Sequence, residues 1–281
     1  MPPTLAPALP ELFDLHGRVA VVTGGAGLLG GEFCRTLAEA GASLLVADLD
    51  GAAAEAGASR LRAAGLASAA VELDVTRPDS ARGMVDAALR LFGRLDILVN
   101  SAALDPKFDP QAVEARAGAS GRFEDYPLPA WNQALDVNLT GAFLCCQAVS
   151  APMMAQGGGV IINLSSIYGL AAPDQRMYQR PGQPPTFKPV YYSVTKWGIL
   201  GLTQYLAAYF AGRNIRVNAL SPGGVYNGHA PEFVQAYSAR AVMGRMAEKD
   251  EMNGALLFLA SDASRYMTGA NLVVDGGWTA W

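Results

Sequence analysis

The sequence predicts an α/β fold, a doubly wound parallel sheet of about seven strands with helices on both faces. Short apolar runs of strand length alternate with helix-length segments through most of the 281 residues. The connections between them are mostly short, as in sheets whose parallel strands are joined by helical crossovers. The first apolar run also leads directly into a glycine-rich turn and a helix. No break in composition marks a second domain, so we expect one domain over residues 1–281.

The predicted strands are continuous apolar runs, which is typical of strands buried on both faces of a sheet. They are Arg18–Thr23, Ser43–Asp48, Ala69–Leu73, Leu95–Val99, Val160–Asn163, Ile215–Ala219 and Asn271–Val274. The first predicted helix follows the glycine turn through Phe33, Leu37 and Ala40 and ends at Gly41. The later predicted helices are Gly51–Ala64, Pro78–Phe92, Leu128–Ala155, Tyr191–Gly212 and Lys249–Ser261.

Two predicted connections are long for a compact domain, Leu104–Tyr126 and Leu170–Val190. The second is rich in proline, which limits the conformations of the free chain, and it carries Arg176, Arg180 and Lys188. Loops of this length are commonly functional. We expect residues 170–190 to form one wall of a substrate pocket, with Arg176 or Arg180 reaching the substrate or a neighbouring subunit. A passive surface loop is the alternative.

Composition and charge argue against several classes of function. A formal net charge of -4 without a basic cluster argues against nucleic acid as a partner. No apolar run is expected to cross a bilayer, and Met1–Leu15 lacks a basic start and an apolar signal core. Cys34, Cys145 and Cys146 show no disulfide pattern, and the two histidines have no ligand spacing between them. We therefore expect a cytoplasmic protein without a membrane partner or a bound metal.

The glycine-rich turn after the first strand indicates a nucleotide site. Gly24, Gly27 and Gly30 follow Thr23 and precede the first helix. Because glycine has no Cβ, the backbone can approach a pyrophosphate, and the helix N-terminus offers free N–H groups and the positive end of its dipole. Strand, glycine turn and helix together predict a Rossmann-type dinucleotide site. A turn that merely tolerates glycine is the alternative.

The second predicted strand ends in an acid, Asp48, about 20 residues beyond the glycines, as in the general pattern for ribose recognition. A carboxylate at this position accepts hydrogen bonds from an adenosine ribose diol and repels a 2′-phosphate. No Arg or Lys follows in Leu49-Asp50-Gly51 to bind that phosphate. The sequence therefore favours NAD(H) over NADP(H) as the cofactor.

Tyr192 and Lys196 form the candidate acid/base pair. They stand four residues apart in a predicted helix, so both side chains lie on one face. An ammonium so placed favours the phenolate of a tyrosine that otherwise titrates near pH ~10. This pair is suited to proton transfer to or from an alcohol. A surface Tyr–Lys pair is the alternative if the motif is taken alone.

Eight short motifs in order resemble those of the single-domain short-chain dehydrogenase/reductase family, over roughly residues 14–277. They are Thr23–Gly30, Asp74-Val75, Asn100-Ser101-Ala102-Ala103, Asp136-Val137-Asn138, Asn163-Leu164-Ser165-Ser166, Tyr192 with Lys196, Ser221-Pro222-Gly223-Gly224-Val225 and Val274-Asp275-Gly276-Gly277. Any one of these motifs is weak, whereas their order along the chain is specific.

The resemblance implies roles for individual residues. Tyr192 would be the acid/base, and Lys196 would bind the nicotinamide ribose and lower the pKa of Tyr192. Ser166 would hydrogen-bond the substrate oxygen, and Asn138, in a kinked helix, would hold a water that relays protons to Lys196. A mobile lid would cover residues 224–245. The implied cofactor-binding residues are Gly24, Gly27, Leu28, Leu29, Gly30, Asp48, Asp74, Val75, Asn100, Ala102, Tyr192, Lys196, Pro222, Gly223 and Val225.

Three positions depart from the family pattern. Counted from Thr23, the usual glycines stand second, sixth and eighth, but here Gly27 is fifth and Leu28 is sixth. This GxxGxxG spacing is more typical of the extended branch of the family, whose larger C-terminal domain does not fit this length. Ala103 replaces the last glycine of the usual NNAG, and Asn227 stands where the family often has threonine.

The combined prediction is an NAD(H)-dependent oxidoreductase that interconverts a secondary alcohol and a ketone, on a sugar, polyol or hydroxy-acid derivative. His229 and Arg240 in the lid add charged groups that could engage such substrates. A 3-oxoacyl-thioester reductase is one alternative, disfavoured by Asp48 because such reductases usually use NADPH. A catalytically silent nucleotide-binding protein is the other, disfavoured because Tyr192 and Lys196 are both present.

Two predicted helices, Leu128–Ala155 and Tyr191–Gly212, carry more apolar residues than one face against a sheet needs. Surplus apolar surface on a protein of this kind usually means an interface. Members of the resembled family pair these helices across a two-fold axis and often add an interface near the C-terminus, where Trp278 and Trp281 would fit. We therefore predict a homotetramer, with a dimer as the fallback.

Overall fold

The computed structural model describes residues 7–105, 121–179, 182 and 184–281. Seven parallel strands form one sheet in the order β3-β2-β1-β4-β5-β6-β7, which confirms the predicted fold class. The strands are β1 Val19–Thr23, β2 Ser43–Asp48, β3 Ser68–Glu72, β4 Ile97–Asn100, β5 Gly159–Leu164, β6 Ile215–Pro222 and β7 Asn271–Val274. Their bounds differ from the predicted runs by at most a few residues.

Eight α-helices connect or flank these strands in the described part of the chain. They are α1 Leu28–Glu39, α2 Gly51–Ala63, α3 Pro78–Phe92, α4 Leu128–Leu135, α5 Gly141–Ala155, α6 Val190–Tyr209, α7 Pro231–Ser238 and α8 Asn253–Ala260. The sequence did not predict α7. Helix α6 ends earlier than predicted because tight turns follow it and Gly212 takes a left-handed conformation, with φ of 72°. Helix α8 begins later because turns occupy residues 248–253.

The predicted helix Leu128–Ala155 is interrupted in the structure. A π-helical turn over Asp136–Thr140 separates α4 from α5, and the amide of Gly141 donates to the carbonyl of Asp136, five residues back. The whole stretch is long and apolar enough to cross a membrane by length and composition, which corrects the expectation that no segment qualifies. Its inner face instead packs into the core through Leu144, Val149 and Met153.

The strand order reverses between β1 and β4, where the chain crosses from one half of the sheet to the other. Thr23 at the end of β1 pairs with Asn100 at the end of β4, and Asn100 pairs with Asn163 of β5. In open α/β sheets, ligands bind outside the carboxyl ends of the strands at such a reversal. The topology therefore places a ligand site beside these three residues.

The core has one apolar cluster on each face of the sheet. On one face Phe33 and Leu37 of α1 pack with Leu256 of α8. On the other, Met84 of α3 packs with Val149 of α5. Side chains of this size contribute roughly 1.5–3 kcal/mol each when fully buried. The two clusters hold the sheet rigid between its helical layers.

All three cysteines are free and buried in these clusters. Burial raises the pKa of the Cys34 thiol and of the Cys145 thiol to about 12. The three thiols are therefore small side chains of the core.

Candidate active site

A cavity of about 1240 Å³ lies along the carboxyl ends of the strands. The turns that follow β1 to β6 line one side of it, and residues from 176–188 and 223–246 line the other. Of the residues predicted for catalysis or cofactor binding, all line this cavity except Asn100 and Asn138. The sequence motifs, which are spread over some 200 residues, therefore converge on one cleft.

The glycine turn is shaped by close backbone contacts. A Cβ on Gly24, whose φ is +65°, would lie 2.9 Å from the Cα of Ala102, and a Cβ on Gly30 would lie 2.0 Å from the carbonyl oxygen of Gly24. Gly27 is the N-cap of α1 and supplies no side-chain cap. The first N–H groups of the helix therefore remain available to a ligand beside Leu28 and Leu29.

Asp48 ends β2 at the edge of the cavity. One carboxylate oxygen accepts from the amide of Ala26 at 3.0 Å, and the other accepts from the amide of Asp50 at 3.2 Å. These two backbone bonds hold the carboxylate between the glycine turn and the start of α2. Such a carboxylate fits a ribose diol and repels a phosphate group in the same position.

The loops after β3 and β4 complete this half of the cavity. Asp74 accepts from the amide and the hydroxyl of Thr76, and Val75 packs beneath the cavity. The hydroxyl of Thr23 accepts from the amides of Ser101 and Ala102, both at 3.1 Å. These bonds hold the β4 loop in place even though Ala103 replaces the usual glycine.

Asn100 takes a different position from the one predicted. Its side chain is buried in the sheet, where it donates to Asn163 at 2.8 Å, and Asn163 donates to Thr203 of α6 at 3.0 Å. Asn100 thus ties β4 and β5 to the helix that carries Tyr192. Its side chain lies outside the cavity lining, so it acts on the site through these neighbours.

Pro222 ends β6, and Gly223 and Val225 follow it along the cavity. A Cβ on Gly223 would lie 2.8 Å from the Cα of Asp275, so this turn requires a glycine. The hydroxyl of Tyr237 in α7 accepts from the amide of Gly224. Helix α7 and the β6 turn are therefore joined directly.

Lys196 lies one helical turn after Tyr192 on α6, and its ammonium donates to the carbonyl of Leu164 at 2.8 Å. The hydroxyl of Ser165 donates to the Lys196 carbonyl at 2.8 Å and fixes this turn of the helix against β5. Burial lowers the pKa of Lys196 to about 8. The Lys196 nitrogen lies 5.7 Å from the centre of the Tyr192 ring.

The ionisation of Tyr192 differs from the sequence expectation. Burial raises the pKa of Tyr192 well above its ordinary value, and the Asp105 carboxylate raises it further, while a hydrogen bond with Ser166 lowers it. The Lys196 ammonium does not outweigh the burial. The Ser166 hydroxyl also accepts from the amide of Tyr168 at 3.1 Å, which orients it towards the cavity.

Asn138 lies in the π-helical turn and its side chain is buried. Its side-chain oxygen accepts from the Leu104 amide at 2.6 Å, and its side-chain nitrogen donates to the Leu104 carbonyl at 3.0 Å. The same nitrogen lies 3.4 Å from the Thr195 hydroxyl. Asn138 therefore clamps the backbone beside Asp105 and contacts the helix of Tyr192, which makes it a positioning residue.

Sequence reasoning missed the pair formed by Asp105 and Lys188. The Lys188 ammonium lies 3.9 Å from the centre of the Tyr192 ring and is bound to the Asp105 carboxylate. Lys188 was noted as one charge of a loop, but its contact with Tyr192 was not predicted. Asp105 is 83 residues away along the chain, so no local pattern indicates the pair.

Aromatic rings form the far wall of the cavity. Tyr168, Tyr178, Phe233 and Tyr237 line it, and the hydroxyls of Tyr168 and Tyr178 lie 2.8 Å apart. The ring of His229 stacks on Phe233 with centroids 5.1 Å apart, and burial lowers the pKa of His229 from its ordinary value. This wall offers large apolar faces with hydroxyls at their edges.

Arg176 lines the cavity, and its predicted contact with the substrate or a neighbouring subunit stays a prediction. Its guanidinium binds both oxygens of Asp174 at 2.8 and 2.7 Å and is largely exposed. Arg240 also binds Asp174 and lies 4.9 Å from the Trp278 ring centre. Arg180 lies outside the described residues, as does most of the first predicted insertion, 106–120.

Trp278 is also placed differently from the prediction. It is only 2% exposed and packs edge-on against Tyr168, with ring centroids 5.7 Å apart. It therefore belongs to the aromatic wall of its own chain and is unavailable to a second subunit. Within the described ranges, no three His, Cys, Asp or Glu side chains are grouped to hold a metal ion.

The sequence also matches known proteins. Residues 26–279 match the profile of a family described as Enoyl-(Acyl carrier protein) reductase. A 3-alpha-(or 20-beta)-hydroxysteroid dehydrogenase of Mycobacterium bovis is 37% identical, over 95% of this chain and 91% of the relative. D-threitol dehydrogenase of Mycolicibacterium smegmatis is 37% identical, over 95% of each chain.

A solved structure shares both the fold and the sequence pattern. Gluconate 5-dehydrogenase from Burkholderia cenocepacia, in complex with NADP and tartrate, superposes with a TM-score of 0.83 at 30% identity. The match covers 98% of this chain and 100% of that one. The likeness therefore extends through the described cavity and its lid.

Proposed function

The chain belongs to the short-chain dehydrogenase/reductase family, whose dehydrogenases act on CH–OH groups, and we propose that it oxidises a secondary alcohol with NAD⁺, with Tyr192 as the acid/base. One observation carries the proposal: Ser166, Tyr192 and Lys196 meet on the cavity floor between the glycine turn and the aromatic wall. A substrate oxygen on that floor would lie between the Ser166 and Tyr192 hydroxyls.

The residues around the glycine turn fit a nicotinamide dinucleotide. Added Cβ atoms at Gly24 and Gly30 would collide with the backbone of Ala102 and of Gly24, so these glycines keep the turn tight, and the N-terminus of α1 has no side-chain cap. The Asp48 carboxylate stands ready for a ribose diol, which supports NAD(H). The Burkholderia dehydrogenase binds NADP, so the choice of NAD(H) here depends on Asp48. Held by the glycine turn, the N-terminus of α1 and Asp48, a nicotinamide cofactor would supply the hydride acceptor for the carbinol carbon.

Residues of the protein transfer the proton and stabilise the charge that develops on the substrate oxygen. The Ser166 hydroxyl donates to this oxygen as negative charge builds on it. Tyr192 is a neutral phenol at neutral pH, so in the reduction direction it is ready to donate its proton to the carbonyl oxygen. In the oxidation direction the phenol first releases its proton to solvent, and the Tyr192 oxygen then takes the proton of the substrate hydroxyl. Lys196 supplies positive charge behind it.

Substitution of Tyr192 tests the proposal. Tyr192→Phe removes the exchangeable proton and keeps the ring, so turnover should fall by about 10² or more while NADH still binds. Oxidation of a panel of polyols, hydroxy acids and cyclic alcohols is followed by NADH absorbance, and NADH binding by fluorescence titration. Tyr266→Phe, at a fully exposed tyrosine, is the control and should keep full turnover. Unchanged turnover in Tyr192→Phe would refute the assignment.

We also propose that residues 170–190 and 224–245 act as the substrate wall and lid of a single domain. Met177 and Tyr178 of the first segment and Phe233 of the second line the cavity, which supports these two roles. Three buried, reduced cysteines fit a cytoplasmic location. Exposed aromatic side chains on α5 and α6 support a homotetramer.

A further inference from the structure

The pair formed by Lys188 and Asp105 stands beside the proposed acid/base. The Lys188 side chain is only 8% exposed and lines the cavity, and its ammonium lies over the Tyr192 ring. A lysine buried to this extent requires a partner for its charge, and Asp105 provides it. The two side chains thus place a full positive and a full negative charge within the substrate half of the cavity.

Each partner of the pair is held by its own support. The Lys188 amide donates to the side-chain oxygen of Gln175 at 2.9 Å, and the Gln175 side-chain nitrogen donates to the Lys188 carbonyl at 3.2 Å. The backbone just before Asp105 is clamped by Asn138 through two hydrogen bonds to Leu104. The position of the pair is therefore set by the loop on one side and by the π-helical turn on the other.

The pair has unused hydrogen-bonding capacity. An ammonium has three N–H donors, and a carboxylate can accept about four hydrogen bonds. Within the described ranges, Asp105 is the one hydrogen-bond partner of the Lys188 ammonium, and the Asp105 side chain is 53% exposed. A free donor and a free acceptor thus lie side by side next to Tyr192. When the substrate carbinol is bound at Tyr192, a substituent on the adjacent carbon would lie beside them.

The charge of the pair selects among substituents. A hydroxyl group can accept from Lys188 and donate to Asp105 at once, whereas a substrate carboxylate would be attracted by the first and repelled by the second. Of the other ionisable groups near Tyr192, Lys196 is positively charged, but its ammonium donates to the Leu164 carbonyl. Arg176 is bound to Asp174, Glu232 carries a negative charge, and His229 is neutral at neutral pH.

We propose that Lys188 and Asp105 recognise a hydroxyl group on the carbon next to the oxidised carbinol, so that the substrate is a neutral polyol rather than a hydroxy acid. This inference rests on the proposed function. The aromatic rings of Tyr178 and Phe233 would cover the apolar C–H face of such a substrate.

Three alcohols built on one ring test the proposal: cyclohexanol, cyclohexane-1,2-diol and 2-hydroxycyclohexanecarboxylate. In the wild type, kcat/KM for the diol should exceed that for each of the other two by at least about tenfold. Lys188→Met should reduce the advantage of the diol over cyclohexanol by about tenfold or more. Asp105→Asn should raise the ratio of the carboxylate to the diol by at least about tenfold, because the repelling charge is removed.

Binding measurements separate recognition from chemistry and from folding. The diol is titrated into the enzyme saturated with NADH, and binding is measured by calorimetry. Lys188→Met should bind the diol about tenfold more weakly than the wild type, and its affinity for NADH should be unchanged. Lys249→Met breaks a lysine–carboxylate pair with Glu32 outside the cavity and should leave both ratios, diol to cyclohexanol and carboxylate to diol, at their wild-type values.

Three results would overturn the inference. The first is a wild-type preference for the carboxylate over the diol. The second is a diol-to-cyclohexanol ratio of kcat/KM that is unchanged in Lys188→Met. The third is an equal loss of kcat/KM for all three substrates in Asp105→Asn, which would indicate that the pair has a structural role. If the wild type oxidises no alcohol with either nicotinamide dinucleotide, the proposed function and the polyol inference are both refuted. If it oxidises alcohols but lacks the expected kcat/KM ratios, only the polyol inference is refuted.

Discussion

At the scale of single residues, local geometry and burial determine different properties. The i, i+4 spacing of Tyr192 and Lys196 puts both on one face of α6, as the sequence predicts. Their pKa values depend on what surrounds them. Burial raises the pKa of Tyr192 and lowers the pKa of Lys196 to about 8, so each group shifts towards its neutral form.

Asp48 provides a prediction at this scale. The proposed cofactor site puts the Asp48 carboxylate where a 2′-phosphate would lie, so NAD(H) should bind at least about tenfold more tightly than NADP(H), a difference of about 1.4 kcal/mol. Asp48→Ala should bring the two affinities close together, as measured by calorimetric titration of both cofactors.

Asp50→Ala is the matched control for this prediction. Asp50 is the N-cap of α2 and accepts from the amide of Ala53 at 2.9 Å, outside the cavity lining. Its substitution should cost about 1 kcal/mol of unfolding free energy and leave the cofactor ratio unchanged. Equal affinity of the wild type for the two cofactors would contradict the role given to Asp48.

At the scale of elements, helix α1 is tied to the start of α8 through Glu32. Its carboxylate binds Arg35 at 2.6 Å on α1 and Lys249 at 2.8 Å in the turn before α8. The side chain is 11% exposed, and these partners lower the pKa of Glu32 to about 2. This contact connects the helix of the glycine turn with the last helix of the domain.

The lowered pKa of Glu32 predicts a pH-dependent contribution to stability. A carboxylate with a depressed pKa stabilises the fold above its unfolded value near 4.5, and this contribution is lost as the pH falls towards about 2. Glu32→Gln should reduce the unfolding free energy by about 1–3 kcal/mol at pH 7 and by progressively less below pH ~4.5. Urea denaturation at pH 7, 4 and 3 measures the difference.

Glu39→Gln serves as the comparison for Glu32→Gln. Glu39 binds the same Arg35 at 3.0 Å from an exposed position, so its loss should cost under about 1 kcal/mol at any pH. A Glu32→Gln protein as stable as the wild type at pH 7, or one with the same deficit at pH 7 and pH 3, would show that the ion pairs contribute little.

At the scale of the whole molecule, the apolar surface outside the core indicates assembly. Leu144, Val149, Met153 and Phe210 are buried within the chain, whereas Phe143, Val194, Trp197, Tyr205 and Tyr209 are exposed on α5 and α6. The surplus of apolar residues that the sequence predicts is therefore exposed on helices α5 and α6. Trp278 is buried in its own chain, so a second interface near the C-terminus would depend on Trp281 and its neighbours.

Assembly is the prediction that belongs to this scale. We expect a homotetramer at micromolar concentration, and Trp197→Glu should lower the mass because it introduces a charge on the exposed face of α6. Light scattering after gel filtration measures both masses. Leu91→Glu, at an exposed leucine of α3, should keep the wild-type mass. A wild-type monomer would refute the prediction.

The sequence by itself determined the sheet, the cleft and most of its lining. Buried parallel strands such as Ser43–Asp48 appear as continuous apolar runs because both faces are covered, and Gly24 and Gly30 mark close approaches that only glycine permits. These signals are local, since each depends on neighbouring residues along the chain.

Only the tertiary structure decided how distant segments meet. Asn138 lies in the π-helical turn and binds Leu104, which is 34 positions away along the chain. Lys188 pairs with Asp105, which is 83 positions away. The pKa of Tyr192 likewise depends on its burial and on Asp105 and Ser166, which lie in other segments of the chain. Contacts of this kind follow from the path of the long loops across the cleft, and no periodicity or motif within one segment specifies that path.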